Sequence, residues 1–365
     1  MTPKLSTSEL CGQVLVGGFA GPTLSATFRD ALARGERGGA ILFRRNLSGG
    51  VTAIAALNRA ISNAAPQSLP PFIAVDQEGG RVTRLGAPVL KLPPMRALGR
   101  LGDEALVGRA AAALGAELAA LGFTMDFAPV LDVDTCPVNP IIGDRSFHED
   151  PAIVARLGGA YASGLQSAGV MACGKHFPGH GDTTVDSHLD LPRVDQPRSR
   201  LDAVELVPFR ALRANVCAAW MTAHVVYSNL DANQPATLSR RIAHELARDE
   251  MGYDGLLISD DLEMKAVADR MPVEESAVRA IRAGCDVLLI CSSEELQARA
   301  HAALVHEAEQ DATFRRLVEA SVARAVRLRR QFPPRPLDDR QLGTVLGGQR
   351  SLAVARELEE RGAFA

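Results

Sequence analysis

Residues 170–192 read VMACGKHFPGHGDTTVDSHLDLP, and the fold can be read outward from them. The apolar run Val170–Cys173 is continuous, as expected of a strand buried on both faces. A helical pattern begins near Arg200. Between the two lies a polar strand-to-helix loop carrying Lys175, His176, His180, Asp182, Asp186 and His188. Pro178, Gly179 and Gly181 oppose a regular helix there. Three of the chain's eight histidines fall in this loop. Such a density of ionisable groups marks a functional loop carried by a rigid scaffold.

The same pattern repeats along the chain. Apolar runs lie at Val14–Phe19, Ala40–Phe43, Phe72–Asp76, Phe123–Asp132, Val170–His176, Ala218–His224, Gly255–Asp261 and Asp286–Cys291. Helical patterns lie between them at Val51–Asn63, Glu104–Leu121, Ile153–Ser167, Arg200–Asn215, Ser239–Glu250 and Val273–Ala283. Alternating strands and helices imply a parallel sheet covered by helices. About eight such units predict an α/β fold of the (β/α)8 barrel type, with a doubly wound sheet as the alternative. Many runs end in a polar residue: Asp76, Asp132, Lys175–His176, His224 and Ser259–Asp260–Asp261. In a barrel these ends meet on one face, where barrel active sites lie. Leu296–Arg330 reads as a helical pair. A barrel over residues 1–332 with a short helical tail at 333–365 is the expected organisation, the tail being too short for a second domain.

Bulk properties narrow the function classes. The 365 residues are 47% hydrophobic with a net charge of −3, and no dense basic stripe suggests nucleic acid or a membrane surface. No apolar run approaches the ~20 residues that span a bilayer, and MTPKLSTSEL lacks the pattern of a secretory signal. The six cysteines (11, 136, 173, 217, 285 and 291) are scattered without a CxxC, which predicts reduced thiols and a cytoplasmic location.

Each motif has a chemical and a structural reading. In AVDQEGGRVTRL (Ala74–Leu85), Asp76 is suited to accept hydrogen bonds from substrate hydroxyls. It is equally suited to cap the next turn or pair with Arg81 or Arg84. Arg145, in NPIIGDRSFHEDP (Asn139–Pro151), offers a fixed fork of donors to a polar ligand, or staples its loop to Asp144 or Asp150. Lys175 is one of four lysines beside 36 arginines, which hints at a need for a compact donor. Asp186, two residues from His188, can orient that imidazole and raise its pKa for acid/base work. In GLLISDDLEMKA (Gly255–Ala266), adjacent side chains on a strand point to opposite sides. One of Asp260 and Asp261 should therefore face the pocket, and the residues alone leave open which. Histidines 176, 180 and 188 with Asp182 and Asp186 could instead hold a metal, but Pro178 and Gly179 spoil the helical spacing and the H-E-x-x-H glutamate is missing. No P-loop or GxGxxG is present.

Together these motifs resemble glycoside hydrolase family 3, and within it the single-domain bacterial β-N-acetylglucosaminidases of peptidoglycan recycling. The resemblance rests on GAILFRRN (Gly39–Asn46), VDQEGGRVTRL, FAPVLDV (Phe127–Val133), GDRSF, KHFPGHGDTTVDSH, MTAHV (Met221–Val225) and ISDDLEM (Ile258–Met264), in that order. It implies a (β/α)8 barrel and a retaining double displacement, with Asp260 as nucleophile and His188 as acid/base supported by Asp186. Sugar contacts then fall on Asp76, Arg84, Arg145, Lys175 and His176, with no metal and no cofactor. The implied substrates are peptidoglycan-derived saccharides and muropeptides such as GlcNAc–anhydro-MurNAc peptides, met in the cytoplasm by a monomer without nucleic-acid or membrane partners. A His–Asp dyad departs from the usual pair of carboxylates, and its Gly/Pro-rich loop predicts that His188 swings in when substrate binds. The alternatives are a β-N-acetylglucosaminide phosphorylase, a β-glycosidase of broader specificity, a metal-dependent barrel hydrolase and a non-catalytic sugar-binding protein.

Overall fold

The computed structural model describes residues 5–187, 190–213 and 215–364. Eight parallel strands close into a barrel: β1 (Leu15–Gly17), β2 (Gly39–Leu42), β3 (Phe72–Val75), β4 (Met125–Asp126), β5 (Met171–Phe177), β7 (Ala219–Thr222), β9 (Leu256–Asp261) and β10 (Val287–Ile290). Each coincides with one of the eight apolar runs. Two further short strands, β6 (Arg193–Val194) and β8 (Val226–Tyr227), pair in parallel outside the barrel.

Strand alternation divides the core. Val16, Ile41, Ala74, Met125, Cys173, Met221, Ile258 and Leu289 fill the barrel, and Leu328 and Phe332 join them from the helix Ala312–Gln331 and its end. The alternate residues Val75, Ala172, Trp220 and Leu257 face the helical layer. The apolar runs are continuous because both faces are buried.

Local chemistry sets the helices. In Glu104–Leu121 the Asp103 side chain accepts from Leu106 N at 2.9 Å, and Gly122 ends the helix at φ 93°. The single helix expected over 200–215 is instead two short ones, Arg198–Ala203 and Val207–Ala211. Pro208 lacks an amide hydrogen, so it sits in the first turn of the second helix rather than inside a longer one. Helix Arg241–Glu250 is wound wide, with Met251 N donating to Leu246 O at 3.0 Å. After Phe332 the chain returns to the helical layer. Leu342, Leu346, Val354 and Leu358 of the last two helices pack into the same core as Leu106 and Leu114. Buried Glu117 ties this contact, accepting from Gly347 N at 2.9 Å and Ser351 Oγ at 2.6 Å. The six cysteines are free, five of them buried. Among the described residues no helix is long and apolar enough to cross a membrane.

Candidate active site

The barrel brings the expected residues together at the C-terminal ends of its strands. A cavity of about 230 Å³ is lined by Asp76, Arg84, Arg145, Lys175, His176 and Asp260. Phe43, Phe127, Met221 and Leu289 supply apolar wall, and Glu78, His180, Ser187 and Asp261 complete the polar lining. Half-buried Asp186 precedes Ser187 on the loop. His188, the expected acid/base, lies outside the described residues.

One wall is an ionic cluster. Lys175, at the end of β5, donates to Asp76 Oδ1 at 2.8 Å and sits 2.6 Å from Glu78 Oε1. Arg145 forks onto Glu78, with Nε at 2.9 Å from Oε2 and Nη2 at 2.8 Å from Oε1. Arg84 reaches Asp76 Oδ2 at 3.5 Å. Burial alone pushes the Glu78 carboxyl up, but Arg145 and Lys175 outweigh it and hold the group below the usual carboxylate range. Burial likewise opposes the charge on Lys175, and Asp76 and Glu78 restore it, leaving the ammonium above its ordinary value. Thus Asp76 does pair with Arg84, one of the two partners foreseen, whereas Arg81 goes to Asp144 at 3.2 Å. Arg145 is stapled across the site to Glu78 rather than to Asp144 or Asp150. Sequence reasoning passed over Glu78. The signal was available, because a carboxylate two residues after Asp76 leaves an extended strand end on the same side.

A second cluster shapes the loop. Fully buried Asp132 accepts from His176 N at 3.1 Å and His180 N at 2.6 Å through Oδ1, and Oδ2 meets His176 Nδ1 at 2.7 Å. Burial raises this carboxyl, yet His176, His180 and the amide hydrogen bonds keep it below its ordinary value. His176 thus reaches the cavity with its orientation set by a carboxylate. His180 Nδ1 meets Thr183 Oγ1 at 2.7 Å and Nε2 meets Ser187 Oγ at 3.2 Å. Burial, then the proximity of His176, lowers His180 to about 4, so it is a neutral hydrogen-bonding strut near pH 7. Asn139 Nδ2 clamps the loop from outside, donating to the carbonyls of His180 at 2.9 Å and Gly181 at 3.0 Å.

The loop passes so close to the strand-end segment that a Cβ built on Gly181 would lie 1.7 Å from Val133 O. Backbone cannot yield as a flexible side chain does. Gly181→Ala is therefore expected to lower stability by about 1–3 kcal/mol, read from urea unfolding, and to reduce activity by displacing the loop.

Asp260 and Asp261 end β9, and both are among the residues that line the cavity. Pairing of β9 with β10 shifts register between Val287 and Leu289, an irregularity at this strand end. Their roles still differ. Asp261 Oδ1 accepts from Glu263 N and Cys291 N, both at 3.1 Å, bracing the turn. Burial pushes Asp261 up to about 7. Asp260 Oδ1 accepts from Asp261 N at 2.8 Å. Among the described residues no group of three or more His, Cys, Asp and Glu side chains is arranged to hold a metal ion.

Comparison with known proteins agrees with this geometry. Residues 8–328 match the glycosyl hydrolase family 3 N-terminal domain. The chain is 42% identical over 287 residues to a β-hexosaminidase of Alkalilimnicola ehrlichii, spanning 77% of this chain and 81% of that protein. It superposes on a family 3 β-N-acetylglucosaminidase from Paenibacillus sp. str. FPU-7 with a TM-score of 0.91 and 39% identity, covering 98% of this chain and 69% of that one. NagZ from Neisseria gonorrhoeae, solved with N-trifluoroacetyl-D-glucosamine, gives a TM-score of 0.80 at 32% identity over 97% of this chain and 98% of its own.

Proposed function

The chain belongs to glycosyl hydrolase family 3 and is a glycoside hydrolase of the β-hexosaminidase kind; from that premise we propose that it removes a terminal β-linked N-acetylglucosamine by retaining double displacement. The observation that carries this reading is Asp260, at a barrel strand end, in a cavity shared with Lys175, Arg145, Arg84 and Asp76. A carboxylate in a cavity that cations also line is suited to attack an anomeric carbon carrying developing positive charge. Asp76 and the three cations are suited to hold the sugar hydroxyls, and a cavity of about 230 Å³ suits one sugar ring.

In the first step Asp260 forms an ester bond to the anomeric carbon while the glycosidic bond breaks. His188, held by Asp186, gives its proton to the departing oxygen. In the second step the imidazole takes a proton from water, whose oxygen displaces Asp260 and restores the original anomeric configuration. The natural substrates in this reading are peptidoglycan fragments such as GlcNAc–anhydro-MurNAc, with or without peptide.

Release of p-nitrophenol from p-nitrophenyl β-N-acetylglucosaminide, in EDTA, tests the reading. Turnover with free N-acetylglucosamine as the product, with or without added phosphate, is the expected result. A sugar 1-phosphate as product would overturn hydrolysis in favour of phosphorolysis. Mass spectrometry of digested muropeptides then tests the natural substrate.

A further inference from the structure

We propose that Glu78 is a positioning residue of this site, one that sets the Arg145 and Lys175 heads before any sugar arrives. The inference rests on the hexosaminidase reading and adds a residue to it. Glu78 is 2% exposed, and both of its oxygens are committed. Oε2 takes Arg145 Nε and Oε1 takes both Arg145 Nη2 and Lys175 Nζ. One carboxylate therefore links a cation on a strand-end turn with one near the end of β5, 30 residues apart in sequence. Arg145 sits on the short turn Gly143–Arg145, and beyond Glu78 its guanidinium has a long hydrogen bond from Nη1 to Ile141 O at 3.3 Å.

The planar fork matters because it fixes the guanidinium in two dimensions. With Nε and Nη2 occupied by Glu78, the guanidinium is fixed in the cavity wall instead of sampling rotamers. Lys175 has three donors; Asp76 and Glu78 take two and leave one for a ligand oxygen. Without the carboxylate, the Arg145 head would have to be ordered by the sugar itself and Lys175 would keep Asp76 alone, and that ordering would come out of binding affinity. The Glu78 main chain is anchored in turn, since its carbonyl accepts from Tyr161 Oη at 3.3 Å and its amide donates to Val82 O at 3.0 Å. Such supporting residues decide whether a site is held tightly enough to discriminate.

The test compares wild type, Glu78→Gln, Arg145→Lys and the double variant on p-nitrophenyl β-N-acetylglucosaminide, with N-acetylglucosamine binding by calorimetry and melting temperature alongside. Glu78→Gln is expected to raise KM and weaken N-acetylglucosamine binding by ten-fold or more, with kcat changed less than three-fold. Because Glu78 acts in large part through Arg145, the double variant should bind less weakly than the product of the two single losses. A merely structural glutamate would lower the melting temperature while leaving KM and the affinity near wild type, and that outcome overturns the proposal. Fully multiplicative losses in the double variant overturn it too. Should Glu78→Gln fail to fold, Glu78→Asp decides: it keeps the charge but withdraws it by one methylene. A raised KM then supports positioning, and a wild-type KM overturns it. A wild-type protein that neither binds nor hydrolyses the glycoside removes the hexosaminidase reading and the positioning role together; a competent wild type with an equally competent Glu78→Gln removes only the latter.

Discussion

Asp260→Asn is expected to lower kcat on p-nitrophenyl β-N-acetylglucosaminide by on the order of 10⁴-fold or more, the scale seen when a covalent nucleophile is removed. Asparagine is the informative replacement. It keeps Oδ1, which accepts from Asp261 N at 2.8 Å, so the end of β9 retains its hydrogen bond. Only the nucleophilic charge is lost. The melting temperature should therefore stay close to wild type, and substrate should still bind. Asp261→Asn is the paired control, because Asp261 spends Oδ1 on the Glu263 and Cys291 amides. Its loss should be far smaller. A companion variant, Asp260→Ala, leaves room for azide on the vacated side of the sugar. Azide would attack that face once, giving the inverted α-glycosyl azide in place of the retained product. If Asp260→Asn turned over within ten-fold of wild type, the nucleophile would be another group.

How much of this was legible in the sequence follows from which interactions are local. All eight barrel strands coincide with apolar runs, because burial on both faces leaves a signal in every strand without reference to its partner. Helix Glu104–Leu121 has the same bounds in sequence and structure, being capped by Asp103 and ended by Gly122. The split of the 200–215 helix was visible in Pro208 but outweighed by the surrounding periodicity. Six expected site residues meet in one cavity, since barrel geometry collects strand ends. What sequence could not yield was pairing across the site. Whether Arg145 faces Asp144, Asp150 or Glu78 depends on how two strand-end loops abut, and no local pattern encodes that. Which of Asp260 and Asp261 braces the next turn is of the same kind, since it depends on the Cys291 amide of the neighbouring strand end.

The His188–Asp186 dyad carries the second large effect. His188→Ala is expected to lower kcat on poor leaving groups by about 10²–10⁴-fold, the usual worth of a positioned general acid. Leaving-group dependence gives the sharper test. A dinitrophenolate needs no proton to depart, so formation of the Asp260 ester should survive in this variant. Its hydrolysis still needs a base to take the proton from water. The ester should then accumulate, giving a burst of dinitrophenol equal to the enzyme present, followed by slow turnover. The pH profile needs care, because three groups compete for assignment. His180 is lowered to about 4 by its burial and cannot supply a limb near neutrality. Asp261, pushed up to about 7 by burial, can. In wild type the acid must carry its proton, so kcat/KM should fall as pH rises through the His188 pKa. If His188 is the source, Asp261→Asn keeps that alkaline limb on a substrate with a poor leaving group, and the residual turnover of His188→Ala on the same substrate loses it. The opposite pattern would assign the limb to Asp261 and remove the main kinetic reason for a histidine acid. Asp186→Asn should fall between the two, with the limb displaced to lower pH, since an imidazolium deprived of its carboxylate gives up its proton sooner.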